Sequence, residues 1–175
     1  DATPRNNLER WDLFSEFKER GLLTPSMTLM AGANHLPKFL EKGFHFGYEK
    51  HGLRLGSAKI MVTMTAGSIR PSRDELRRLV GESHSNGFQV AIHAVEQKAI
   101  SAAVQALGEA GPRRDSGGPR PLDRIEHCAE CPPEIEAQVR SSGVMVVTQP
   151  GFIYHNGDRY LDLVEEDLRP YLYPM

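Results

Sequence analysis

The sequence has no long apolar run, few cysteines and little net charge, and each shortage excludes a class of protein. No stretch approaches the length of a membrane span, and no signal peptide is recognisable at the start. Two cysteines are too few for a disulfide framework, which favours a reducing, cytoplasmic location. A formal charge of −2 gives no electrostatic reason to expect nucleic acid or a membrane as a partner. With 39% hydrophobic and 25% charged residues, the 175-residue chain has the composition of one globular domain.

Short runs of β-forming residues alternate with segments that have helical spacing. The predicted strands are 27–30, 58–62, 89–93, 124–127 and 144–148. The predicted helices are 7–20, 73–86, 96–110 and a stretch that begins at Pro132-Pro133. A glycine follows each predicted helix, at Gly21, Gly87, Gly111 and Gly143.

This alternation predicts an α/β protein with a parallel sheet covered by helices. Two architectures fit the pattern, an open doubly wound sheet and part of an eight-stranded barrel. We expect one domain over 1–175, with a mobile surface loop at 111–122, where glycine, proline and arginine are concentrated.

Three residues that can bind a metal recur at an even spacing. Lys59 and His93 are 34 residues apart, and His93 and His127 are also 34 apart. An eight-stranded βα-barrel has about 31 residues per unit, so this spacing corresponds to one residue per consecutive strand. Each of the three lies within or at the end of a predicted strand, and barrel enzymes keep their catalytic groups at the carboxyl ends of strands.

Strand alternation predicts the direction in which these side chains point. The apolar residues of strand 89–93 share the face that suits a helix layer, so His93 should point to the interior. The same alternation turns Lys59 inward. On the third strand, if His127 and Ile125 point inward, Arg124 and Glu126 face the helices and need partners, either each other or polar groups of a loop.

An inward lysine is unusual, because a lone buried ammonium loses its hydration. One resolution is condensation of the neutral amine of Lys59 with carbon dioxide, which gives an anionic carbamate that can bridge two metal ions. Two imidazoles beside a carbamate form a mixed nitrogen and oxygen donor set that suits zinc or a similar divalent ion.

The strings around these residues resemble the amidohydrolase superfamily, and most closely its family 3-like branch. The strings are Ser57-Ala58-Lys59-Ile60-Met61, Gln89-Val90-Ala91-Ile92-His93-Ala94-Val95, Asp123-Arg124-Ile125-Glu126-His127-Cys128 and Val146-Val147-Thr148-Gln149-Pro150. The resemblance covers most of the chain and implies a partial TIM (β/α)8 barrel, from the end of strand two at Asp1-Ala2-Thr3 to the loop after strand seven. It also implies that Lys59, carboxylated, and the two histidines, His93 and His127, are ligands of one or two metal ions, with zinc expected.

The resemblance further implies a hydrolase that uses a metal-activated water to cleave C–N or related bonds of a small molecule. The family's His-x-His pair on strand one and its aspartate on strand eight lie outside the chain, so no catalytic residue can be assigned and both ends look cut. We therefore expect an incomplete barrel that is inactive alone. Open sheet edges favour association with the missing part of the barrel or with another copy in a homo-oligomer.

Other interpretations of the same residues stay open. Cys128 and Cys131 form a C-x-x-C between a strand and a helix, which is typical of a redox dithiol or of half a structural zinc site. Buried, inert thiols are the simpler interpretation. The chain could also be a non-catalytic barrel relative. Gln149, Tyr154 and His155 follow the last predicted strand and could line a substrate pocket.

Overall fold

The structure is a computed structural model that describes residues 2–111, 113 and 122–173. Its α-helices are α1 (Leu8–Glu19), α2 (Leu36–Glu41), α3 (Arg73–Ser85), α4 (Gln97–Glu109), α5 (Pro133–Ser142) and α6 (Gly151–Leu163). Its strands are β1 (Met27–Gly32), β2 (Glu49–Lys50), β3 (Leu53–Met61), β4 (Thr63–Thr65), β5 (Ser68–Arg70), β6 (Val90–Ala94), β7 (Arg124–His127) and β8 (Met145–Val147). Two 3-10 helices cover Ala33–His35 and Arg169–Tyr171. None of the helices in these ranges is long and apolar enough to cross a membrane.

The five strands and four helices predicted from residue spacing are present, with ends that differ by a few residues. They are β1, β3, β6, β7 and β8, together with α1, α3, α4 and α5. Local signals explain the agreement. The Asn7 side chain accepts a hydrogen bond from the backbone of Arg10 at the start of α1. Gly21 and Gly143 have φ of 69°, the left-handed conformation of a helix end.

The sequence did not predict α2, α6 or the strands β2, β4 and β5. The helix α2 has six residues, which is too short to show a helical period. The helix α6 contains Gly157 and is interrupted at Asn156, whose φ of −129° is not helical, so its sequence gives a weak helical signal. The strands β4 and β5 form a hairpin whose two turn residues, Ala66 and Gly67, have φ of 47° and 75°. Such turns usually carry Asn-Gly or Asp-Gly, and Ala-Gly is a weak signal.

The main sheet has the strand order β1-β3-β6-β7-β8. β1 pairs with β3 and β7 pairs with β8 in parallel, and the short β2 pairs with β3 in the antiparallel direction. The sheet is therefore mostly parallel and the α/β class is confirmed. Closure of the sheet as part of a TIM barrel stays a prediction.

Two further predictions concern the start of the chain and the loop at 111–122. Ala2 and Thr3 are not in a strand, so the predicted end of strand two is wrong at these residues. The chain there runs to Asn6, whose side chain donates a 2.9 Å hydrogen bond to the carbonyl of Met30 in β1. Most of the loop predicted at 111–122 lies outside the described residues.

The chain divides into two compact units, and the first comprises Asp1–Ile60, Arg77–Ala91 and Ala110–Pro121. Its aromatic core is built around Trp11, which is 2% exposed and meets Phe44 edge to face with ring centroids 5.1 Å apart. Phe39 is fully buried in the same cluster. Lys59 of β3 belongs to this unit.

The second unit comprises Met61–Leu76, Ile92–Glu109 and Leu122–Met175. Backbone hydrogen bonds align its strand ends, because the amide of Val62 donates to His93 and the amide of Cys128 donates to Ala94, at 2.9 and 3.0 Å. The helices α4 and α5 are joined by a 2.9 Å hydrogen bond from Ser101 to Gln138. These bonds fix the region that carries both predicted histidine ligands.

Close packing at Gly32 gives a test of the fold in the first unit. A Cβ added at Gly32 would lie 1.9 Å from the carbonyl oxygen of Pro4. We expect Gly32→Ala to lower the free energy of unfolding by about 1–3 kcal/mol, because the backbone must shift. Denaturant titration followed by the fluorescence of Trp11 measures this change.

The matched control is Gly81→Ala in α3, where an added Cβ meets nothing within 4 Å. Alanine is a better helix former than glycine, so this change should raise the free energy of unfolding by up to about 1 kcal/mol. Equal stabilities for Gly32→Ala and the wild type would contradict the packing at β1.

Candidate functional site

The imidazoles of His93 and His127 lie side by side in the second unit. Their ring centroids are 4.4 Å apart and their planes cross at 72°. His93 lies in β6 and His127 is the last residue of β7, and both are partly buried. The sequence placed them at the ends of neighbouring strands, and the structure brings these two together.

A strained turn positions His127. Its φ is 75°, and the φ of the next residue, Cys128, is 49°. The amide of Cys128 donates to the carbonyl of Glu126 at 3.1 Å, which closes a three-residue γ-turn of the rare form with positive φ at its centre. Left-handed conformations of residues other than glycine cost about 1–3 kcal/mol each, and they persist where the surroundings impose them. Here the amide of Cys128 also bonds to Ala94 of β6, which imposes the turn.

The turn between β8 and α6 holds the imidazole of His127 on two sides. The side-chain oxygen of Gln149 lies 2.5 Å from Nδ1 of His127. The ring of Phe152 stacks on the imidazole with an interplanar angle of 23° and a centroid distance of 6.1 Å. The sequence suggested Gln149 as a pocket-lining residue and did not predict its contact with His127. Phe152 was missed because α6 was not predicted.

Lys59 is buried, with 4% of its surface exposed. Its neighbours on both faces of β3 are buried too, so the direction of its side chain stays a prediction. Lys59 pairs in register with Gly32 of β1. Lys59 belongs to the first unit and the two histidines belong to the second, so the convergence of all three at one metal site stays a prediction.

No group of three or more His, Cys, Asp or Glu side chains that could hold a metal ion occurs among residues 2–111, 113 and 122–173. The assignment of His93 and His127 as metal ligands therefore stays a prediction.

The alternation of β7 predicted that Arg124 and Glu126 need partners. The guanidinium of Arg124 lies 2.7 Å from the carboxylate of Glu126, and the Glu126 side chain is largely buried. A buried carboxylate without a cation would be strongly destabilising. Of the two kinds of partner that the sequence left open, the structure shows that these residues pair with each other.

The two thiols of the C-x-x-C are free and buried, with Cys128 1% and Cys131 5% exposed. The thiol of Cys128 donates a hydrogen bond to Cys131, which raises the pKa of Cys128, and burial raises it further. The same hydrogen bond lowers the pKa of Cys131. Burial limits the access of a redox partner, which favours the interpretation of the thiols as structural.

Phe152 also lines a cavity of about 460 Å³. Its polar lining includes Glu96, Glu130 and Arg159. Burial raises the pKa of Glu130, although its carboxylate accepts a hydrogen bond from the amide of Gln97 at 3.3 Å. Of the residues suggested as pocket lining, Tyr154 is 87% exposed and His155 is also exposed, whereas Gln149 contacts His127.

The sequence matches no family model and no curated protein. Two solved structures are similar over 94% of this chain, each described as an uncharacterized metal-dependent hydrolase. The protein from Pyrococcus furiosus has a TM-score of 0.76 and 21% sequence identity, and the protein from Pyrococcus horikoshii OT3 has 0.73 and 22%.

The chain spans only 36% and 35% of the length of these two proteins. At this identity, the likeness establishes a shared fold. The chain is an α/β protein with a mostly parallel sheet, and its fold is that of part of these two metal-dependent hydrolases.

The burial of Cys128 and Cys131 predicts slow reaction with an aromatic disulfide reagent such as DTNB. We expect both thiols of the native protein to react at least about tenfold more slowly than in denaturing guanidinium, because reaction requires local opening. Absorbance of the released thiolate measures the rate. Two thiols that react in the native protein as fast as in the denatured protein would favour an accessible redox dithiol.

Proposed function

We propose that this chain is part of an amidohydrolase-like metal-dependent hydrolase that cleaves C–N or related bonds of a small molecule. The observation that carries the proposal is the pair of imidazoles of His93 and His127, whose ring centroids are 4.4 Å apart. Nδ1 of His127 is hydrogen-bonded to the side chain of Gln149. The names of the two similar structures and the amidohydrolase-like strings around both histidines support the same class.

The chemistry of the donor set fits a divalent metal such as zinc. Imidazole is a common zinc ligand, and ligand histidines typically use their second nitrogen for a hydrogen bond to an oxygen acceptor. His127 has this arrangement, since Gln149 occupies Nδ1. Catalytic zinc sites have three protein ligands and an open position, so the two histidines require one more.

Lys59 is the third ligand in this proposal, by resemblance to the family. Lys59 is 4% exposed, and a carbamate formed from its amine with carbon dioxide would be anionic and would attract a metal. When bound, one or two metal ions supply a hydroxide from water near neutral pH. The role of His93 and His127 is to hold the metal, and that of the buried ion pair of Arg124 and Glu126 is to keep β7 in place.

The partner and the location are also proposals. We expect a small-molecule substrate, a cytoplasmic protein, and association with the remaining strands of a barrel or with another copy. The rest of the catalytic machinery, in particular the aspartate of the family's eighth strand, would come from outside the 175 residues.

Zinc binding tests the proposal directly. We expect the wild-type protein to bind zinc, and His93→Ala and His127→Ala each to lower its affinity by roughly tenfold or more. Equilibrium dialysis followed by metal analysis measures the affinity. The matched control is His155→Ala, which removes an exposed histidine of α6 from the same unit and should leave the affinity unchanged.

Two outcomes would overturn the assignment of the histidine ligands. One is a wild-type protein that binds no divalent ion, and the other is an equal loss of affinity in His155→Ala.

Lys59→Met tests the third ligand separately, because methionine fills a similar volume without a nitrogen. Unchanged zinc affinity in that variant removes Lys59 from the ligand set.

A further inference from the structure

The amide group of Gln149 is oriented by the backbone at the end of β8, the strand that precedes it. Its nitrogen donates to the backbone carbonyl of Val147 at 3.4 Å, and that carbonyl can only accept. The amide oxygen therefore faces His127. Because an amide oxygen is only an acceptor, the atom opposite it, Nδ1 of His127, must carry a hydrogen.

The tautomer that results is the one that a metal ligand needs if it binds through Nε2. A neutral imidazole has one N–H and one nitrogen with a free lone pair. With the hydrogen on Nδ1 of His127, the lone pair is on Nε2. In a neutral imidazole free in water the hydrogen favours Nε2, so the contact with Gln149 reverses the usual preference.

The turn between β8 and α6 also fixes the plane of the His127 imidazole. The amide of Phe152 donates to the backbone carbonyl of Gln149 at 3.0 Å, so both residues belong to one hydrogen-bonded turn. Gln149 contacts the imidazole of His127 at its edge, and Phe152 stacks on its face. Rotation of the imidazole would break one contact or the other.

We infer that Gln149 is a positioning residue, which sets the tautomer of His127 and the orientation of its ring from the turn between β8 and α6. The consequence for metal affinity rests on the proposed function, whereas the tautomer is a property of the metal-free protein. The partners of metal-bound histidines generally act in this way, by fixing the tautomer and raising the basicity of the ligand nitrogen.

The test uses metal-free protein labelled with nitrogen-15 in its histidines, studied by long-range proton–nitrogen NMR above the ordinary imidazole pKa of about 6.5. His127→Ala identifies the signal. We expect wild-type His127 to be the Nδ1–H tautomer and Gln149→Leu to move the population toward Nε2–H. Gln149→Glu keeps an acceptor and should retain the wild-type pattern.

The matched control is Gln138→Leu, which removes a glutamine in α5 that bonds to Ser101 in the same unit. We expect this variant to leave the tautomer of His127 unchanged. A change of tautomer in both leucine variants would point to a general loss of structure. A wild-type Nε2–H pattern, or a Gln149→Leu protein with the wild-type tautomer, overturns the inference.

Zinc affinity gives the second measurement. We expect Gln149→Leu to weaken binding by roughly tenfold to a hundredfold, and Gln149→Glu and Gln138→Leu to stay close to the wild type. If the wild-type protein binds no zinc but the tautomers change as expected, the proposed function fails and the role of Gln149 in the metal-free protein stands. If zinc binds but Gln149→Leu changes neither measurement, only the positioning role fails.

Discussion

The amide of Cys128 makes the hydrogen bonds on which the site depends. It donates to Glu126, which closes the γ-turn at the end of β7, and to Ala94, which ties that turn to β6. A sheet of parallel strands brings their carboxyl ends to one edge, but it does not fix the direction of the last side chain. Here the turn holds His127 with φ of 75° and its ring beside that of His93. The strain of the turn is offset by these bonds and by the contacts of the ring.

Burial on both faces of a parallel sheet explains the treatment of its polar residues. Strands of a parallel sheet are usually buried on both faces, so an ionisable group inside them is strongly destabilising unless it is paired. Arg124 and Glu126 form such a pair, and the Glu126 side chain is largely buried.

The C-x-x-C motif shows how position in a fold changes the meaning of a sequence signal. Cys128 takes part in the turn after β7, and Cys131 lies just before α5. The chain near residues 171–173 covers this connection, because the amide of Cys131 donates to Tyr171 and the amide of Tyr173 donates to Ala129, at 3.1 and 2.7 Å. A redox dithiol needs an exposed sulfur, and this backbone pairing keeps both sulfurs inside.

The sequence by itself determined the elements with strong local signals: strands with β-branched runs, helices with capped ends, and the even spacing that put His93 and His127 on neighbouring strands. It did not predict α6, which is interrupted at Asn156, or the left-handed φ of His127, which only glycine would have signalled. The role of Gln149 depends on a contact across 22 residues of sequence. Tertiary structure alone decided that role, because a hydrogen bond between two strand ends is set by the packing of the strands and leaves no local pattern.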